Sequence, residues 1–282
     1  MKISFLGFDQ WQGKFDIGSS TIRCDWVIKQ WSEAERFVMG QKYDVVIYQK
    51  AYWVDHMKAY KGIKILDLCD PDWLDFGARV VECLEEVDAV TTSSQALAEY
   101  IVKLTNKPVW FIPDRVDMSM HKEQKQHTHR AKAVAWFGYS HNLSVLDQCI
   151  KPIVDLGLEL IVISNKPYHP PPSVASKLDL TNYTWAKDTV NDDILKADVI
   201  INPKLPGLRF RYKSTNKTVK AWALGMPVAK DDRELRHFID PVNRKTEAEK
   251  NLAEVMKNWQ VKNSVEEYKM LIEELCQTNT EQ

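Results

Sequence analysis

Neither sign of charge dominates this chain: 38 lysines and arginines against 39 aspartates and glutamates leave a formal net charge of -1. That balance excludes a chain-wide field for a polyanion, so any nucleic-acid contact must come from a local patch. No apolar run approaches the roughly 20 residues of a membrane-spanning helix. The run at the N-terminus ends at Gly7 and is too brief for a signal peptide, which predicts a soluble, cytoplasmic protein. Five cysteines (Cys24, Cys69, Cys83, Cys149 and Cys276) are odd in number and lack CxxC spacing, arguing against a disulfide frame or a zinc site. In that compartment the N-x-S/T triplets beginning at Asn142, Asn182 and Asn216 are not glycosylation sites. What is present is material for two cores: 282 residues, 44% hydrophobic and 27% charged.

Short apolar runs alternate with helix-length amphipathic segments from end to end. In the first half the strand candidates are residues 3–6, 44–48, 64–68, 89–92 and 109–112. Helical patterns near 20–39, 52–60, 74–86 and 95–103 separate them, the last capped by Ser94. In the second half the strands are 133–137, 160–164, 183–185, 199–201 and 228–229, and the helices 143–156, 190–196, 215–224 and 265–274. Strand–helix alternation predicts an α/β fold with parallel sheets covered on both faces. The polar, aperiodic stretch Met118 to Arg130 is the best linker, which predicts Rossmann-like domains over 1–125 and 126–282, with the last helix able to pack back on the first. Asp44, Asp88 and Asp198 each stand at the base of a strand, common punctuation without functional weight.

The stretch from Asp198 to Asp231 carries the most information. A short strand is stopped by Pro203, and a loop follows with Lys204, Arg209, Arg211, Lys213 and Lys217. Ser214 or Thr215 can cap a helix that runs to Leu224 and ends at Gly225, with Pro227 beyond. A strand, a cationic loop and a helix start together form a phosphate site, because free backbone N–H groups and basic side chains converge. A solvated charge run is the alternative, but five cations beside a helix start exceed what solubility requires.

The order K-S-T-N-K followed by A-x-A-x-G-x-P-V resembles the donor-binding segment of GT-B glycosyltransferases, particularly the retaining enzymes often called family 4. V-D-A-V-T-T-S-S-Q-A-L-A-E-Y and V-W-F-I-P-D-R-V-D resemble the same family, as does Gly138 at the end of A-W-F-G. The resemblance implies two Rossmann-like domains facing each other across a cleft, the second holding a nucleotide-sugar donor. It also implies donor contacts from Gly18 and Ser19, from Gly138 and Tyr139, and from Arg209, Arg211, Lys213, Ser214, Asn216 and Lys217. For Gly18 and Ser19 the alternative is a turn and a helix cap.

Two departures stand out. Tyr139, Ser140, His141 and Asn142 follow Gly138 where the family has an arginine and a lysine, so the loop from Arg209 to Lys217 must supply the charge. The paired glutamates of the family's E-x7-E are replaced by Tyr212 and Lys220, so the donor ribose must be held differently or catalysis has been lost. Asp70 stands where the family places a histidine, and could hold a sugar hydroxyl or accept the acceptor's proton, the alternative being a helix cap before Pro71. Arg115 is expected on the solvated surface, the alternative being that it reaches the cleft, His127 and His129 as unligated surface histidines, and Trp11, Phe15, Trp53 and Trp73 as ligand-side aromatics or interface filler.

These expectations add up to a retaining, metal-independent glycosyltransferase that needs no cofactor beyond its UDP- or GDP-sugar substrate, with Asp70 as the candidate catalytic residue. A glycan, a small molecule or a modified DNA base stays open as acceptor. The alternative is a catalytically silent nucleotide or glycan binder.

Overall fold

A computed structural model of the chain describes residues 1–14, 17–204 and 206–280. Phe15, among the loop aromatics, lies outside them. The strands Ile3–Gly7 (β1), Ala34–Arg36 (β2), Val45–Gln49 (β3), Ile63–Leu68 (β4), Ala89–Thr92 (β5) and Val109–Phe111 (β6) form one parallel sheet in the order β2-β1-β3-β4-β5-β6. Ala133–Phe137 (β7), Glu159–Ser164 (β8), Leu180–Thr184 (β9), Val199–Ile201 (β10) and Val228–Ala229 (β11) form a second, ordered β11-β10-β7-β8-β9. Every residue of β1, β3 and β7 is buried, as expected of strands covered by helices on both faces. In both sheets the strand order reverses beside the first strand, between β1 and β3 and between β7 and β10. Ligands of open α/β sheets bind outside the carboxyl ends of the strands at such switch points.

The acids at the strand bases share one job. Asp44 accepts from the backbone N–H of Lys2 at 2.6 Å, Asp88 from Lys64 at 2.8 Å, and Asp198 from Lys132 at 2.8 Å. Each satisfies a donor where a neighbouring strand begins, which is structural punctuation.

The chain divides into two compact units. The first comprises Met1–Val116, Gly207–Thr215 and Gln260–Gln282, and the second Asp117–Pro206 and Asn216–Trp259. The division thus falls after Val116, ahead of the polar stretch Met118 to Arg130 and of the boundary expected after residue 125, and residues 207–215 belong to the first unit. Lys125 lies in the second unit, its N–H donating to Leu224 O at 2.9 Å.

The last helix, Val261–Thr280, lies in the first unit and buries Val265, Tyr268, Leu271 and Ile272 in one core with Ile3, Phe5 and Val45. Arg115 is not a surface arginine. It is buried and holds this helix by a two-pronged pair with Glu267, at 2.5 and 2.6 Å, and a bond to Ser264. A fully buried Arg23 ties β4 to the chain beyond β6 through Asp67, Asp114 and the carbonyl of Ile112. Removing one member of such a network leaves a buried charge uncompensated.

The helix expected over 20–39 stops at Lys29, and Ala34–Arg36 pairs with β1 instead. Pairing with the sheet edge outweighs the modest strand preference of Ala-Glu-Arg. Helices Asp232–His237 and Pro241–Asn258 were not anticipated, although Asp231 and Asp240 cap them and Pro241 opens the second.

Candidate functional site

In the first unit the switch point is built from the ends of β1, β3 and β4. Gly7 ends β1, and Gln49 at the end of β3 accepts from Phe8 N–H at 3.2 Å and from Ser20 Oγ at 3.0 Å. Ser20 also accepts from Asp9 N–H, so the Gly18–Ser20 turn is fastened to the sheet by Ser20, while Gly18 is exposed and Ser19 half-buried.

Lys50 follows β3 with φ +53, the one non-glycine at positive φ among the described residues. Such a conformation persists only where its surroundings impose it. Its ammonium lies 2.7 Å from Asp70 and 3.2 Å from Asp72, over the Phe8 ring. Asp70 also receives Lys213 Nζ at 2.8 Å. Burial pushes the Asp70 carboxyl up, but Lys50 and Lys213 outweigh it and hold it down to about 2. Burial pushes Asp72 up to about 6, against Lys50 and with the help of the neighbouring Asp70 charge, while Tyr52 donates to it at 2.5 Å.

Asp70 does not cap the following helix. Asp72 occupies that position, and its side chain makes no cap bond either. Both carboxylates are spent on ion pairs and a tyrosine hydroxyl instead. A carboxylate held near 2 stays ionised at neutral pH, so Asp70 is suited to accept hydrogen bonds from hydroxyls and is a weak base.

Residues 207–215 form a strap on this unit. Arg209 makes a two-pronged pair with Asp75 at 2.8 and 2.9 Å, and Arg211 is exposed. Tyr212 is buried, its ring edge-on to Trp73 at 5.2 Å and near Tyr100 at 5.5 Å, and its carbonyl accepts from Ser94 Oγ at 2.9 Å. Ser94 also caps the helix Gln95–Ile101, as expected. Trp11, Trp53 and Trp73 are half-buried filler of this unit's core.

The second unit's switch point begins at Gly138, which ends β7 with φ +154. A Cβ there would collide with Lys217 Nζ, which packs against the glycine and over the Trp136 ring at 4.3 Å. Only glycine admits that approach. Lys217 and Asn216 open the helix Asn216–Ala223, and Asn202 after β10 donates to Thr218 at 3.2 Å in its first turn. Tyr139 is exposed beside His141. Lys220, one turn on, is pushed down to about 8 by burial alone. His121, pushed down to about 4 chiefly by burial, is kept neutral near it.

The residues named from sequence as one donor-binding set are therefore divided. Gly18, Ser19, Arg209, Arg211, Lys213 and Ser214 belong to the first unit with Asp70, and Gly138, Tyr139, Asn216 and Lys217 to the second. Lys50, Asp72 and Asp75 were missed. A lysine after a strand and acids in a helix's first turn are too common to single out, although the repeat D-P-D-W-L-D marked the place. His127 is not a surface residue: half-buried, it contacts the Gly225 carbonyl at 2.8 Å and accepts from Arg244, whereas His129 is exposed.

No family model matches the sequence, and no curated protein is similar to it. Solved structures share the fold. HepE of Anabaena, in complex with UDP and glucose, superposes with a TM-score of 0.69 over 97% of this chain and 100% of its own, at 12% identity. A glycosyltransferase from Rickettsia africae gives 0.66 over 97% and 98% at 8% identity. The DNA-modifying enzyme β-glucosyltransferase, studied with and without uridine diphosphoglucose, gives 0.54 over 97% and 100% at 13% identity. The chain has the GT-B fold, with two Rossmann-like parallel-sheet units.

Proposed function

We propose that this protein transfers a sugar from a nucleotide-diphosphate donor, a UDP- or GDP-sugar, to a hydroxyl-bearing acceptor. The observation that carries the proposal is the second unit's switch point, where a lysine is packed onto a bare glycine at the mouth of a helix start, in a fold whose solved examples hold UDP. Gly138 gives the diphosphate close backbone approach. In the second unit Lys217 and Asn216 supply donors to its oxygens, with Tyr139 as a further contact; in the first unit the candidate phosphate contacts are Arg209, Arg211, Lys213 and Ser214, with Gly18 and Ser19.

Stabilising the leaving diphosphate is the main electrostatic task, and preorganised cations and helix N–H groups serve it without a metal ion. Asp70 holds a sugar or acceptor hydroxyl as a fixed carboxylate. We assign no protein nucleophile, in keeping with retention at the anomeric carbon.

A second function, nucleotide or glycan binding without turnover, is favoured by one observation: neither position of the missing glutamate pair offers a carboxylate. Tyr212 is buried among aromatic rings of the first unit, and Lys220 is a half-buried cation.

Thermal unfolding with UDP, GDP and UMP tests the shared premise, because a ligand of the native state raises the melting temperature by mass action. A clear shift with a diphosphate, larger than with the monophosphate, is expected. No shift at millimolar diphosphate would remove the proposal. Donor hydrolysis, or transfer to a panel of glycans, small hydroxyl compounds and DNA carrying a hydroxymethylated base, then separates enzyme from binder.

A further inference from the structure

On the ligand side of the first sheet, three acids and three cations are ion-paired in two sets. Arg209 meets Asp75, Lys213 meets Asp70, and Lys50 bridges Asp70 and Asp72. The pairs differ in exposure. Arg209 and Asp75 are 42% and 46% exposed and Lys213 is 31%, whereas Lys50 is 11%. Exposed ion pairs are weak and screened by salt, so the Arg209–Asp75 pair is readily exchanged; the Lys213–Asp70 pair, at 31% and 24%, is partly buried but more open than the Lys50 pairs, which are held. The strap does not depend on its ion pairs for its place. Buried Tyr212 and the bond from Ser94 anchor it between them.

We infer that Asp70 and Asp75 are built-in competitors for the donor's phosphates. A nucleoside diphosphate reaches Lys213 and Arg209 by displacing the two carboxylates, one anion for another. The guanidinium fork of Arg209 fits a phosphate as it fits Asp75. Asp70 stays in place through the exchange, because Lys50 still holds it. The exchange also uncovers two carboxylates, Asp70 and Asp75, for acceptor hydroxyls once the donor is bound. The inference rests on the donor assignment proposed above and adds to it that the acids set donor affinity and couple donor binding to acceptor recognition.

The test is UDP affinity by calorimetry for the full chain and four variants: Asp75→Asn, Arg209→Ala, the double variant, and Glu82→Gln. Glu82 is an exposed acid on the helix Ala78–Glu86 and controls for the general loss of a negative charge. Asp75→Asn should tighten UDP by about two- to fivefold, the span of an exposed ion pair. Glu82→Gln should not, and the gain should vanish in the Arg209→Ala background. Unchanged or weaker UDP binding by Asp75→Asn overturns the exchange and leaves the donor assignment standing, as does a gain that persists without Arg209. If the wild-type protein binds neither UDP nor GDP, the donor assignment fails and the exchange fails with it.

Discussion

At the ligand-side end of the first sheet, Lys50 is buried between two carboxylates and held well above the usual lysine range. In the second unit Lys220 is half-buried, and burial alone acts on it and pushes it down to about 8. The same residue type thus meets opposite environments. Where counter-charges are built in, a buried cation orders the loop around it and gains little from a further anion. Where they are absent, desolvation has already been incurred, and an incoming anion meets a cation with nothing to displace. On this contrast the second unit is the one to which the proposed first phosphate contact belongs, and exchange is the response proposed for the first unit's cations.

The sharpest way to break this contrast is Asp70→Asn. The substitution removes the charge from the first unit's network but keeps the shape. Turnover should fall by on the order of 10²-fold or more, as for loss of a charged contact to a reacting group. Stability should drop by about 1–3 kcal/mol, because Lys50 and Lys213 each lose a charged partner. Wild-type turnover in this variant would leave Asp70 a structural residue and move the active-site assignment to Gly18 and Ser19.

The next largest effect belongs to the second unit. Lys217→Ala should weaken UDP binding by about 1.5–3 kcal/mol, the worth of a charge-assisted hydrogen bond in a partly desolvated site. Exposed Lys122→Ala should change little. Equal calorimetric affinities for the two variants would show that the phosphate site has been misplaced.

The smallest effect sharpens the role of burial. With its folded value near 8 and an ordinary value near 10.4, Lys220 releases its proton more readily in the native state. By linkage, native stability should rise as pH climbs from about 8 to about 10.5. Lys220→Met should abolish that rise and stabilise the ligand-free protein at pH 7 by about 1 kcal/mol. Urea titrations at pH 7 and pH 10 would decide, and identical alkaline behaviour of the two proteins would count against a desolvated ammonium.

Much of this molecule is legible in its sequence, because local rules and tertiary structure agree there. Continuous apolar strands such as V-V-I-Y-Q and A-V-A-W-F read as buried parallel strands, Ser94 reads as a cap, and G-x-P-V marks the turn out of the helix Asn216–Ala223 into β11. Those features depend on period, capping and backbone freedom, all of which act within a few residues. Gly138 and Lys217 could be named from sequence for the same reason, since a glycine after a strand and a cation at a helix start each have a local cause.

Only the tertiary structure decided how the charges pair. Asp70 reads locally as a cap before Pro71, yet it is held by Lys50, 20 residues away, and by Lys213, 143 residues away. Arg115 reads as a surface residue, yet it is buried against Glu267, 152 residues on. The strap reads as one piece with the helix that follows it, yet Tyr212 is buried in the first unit's core. A side chain's ionisation depends on what surrounds it in space, and a parallel sheet brings together strand ends far apart in sequence. Periodicity therefore revealed the sheets and the ends of their strands, while partners, burial and pKa followed from long-range contacts that no local pattern encodes.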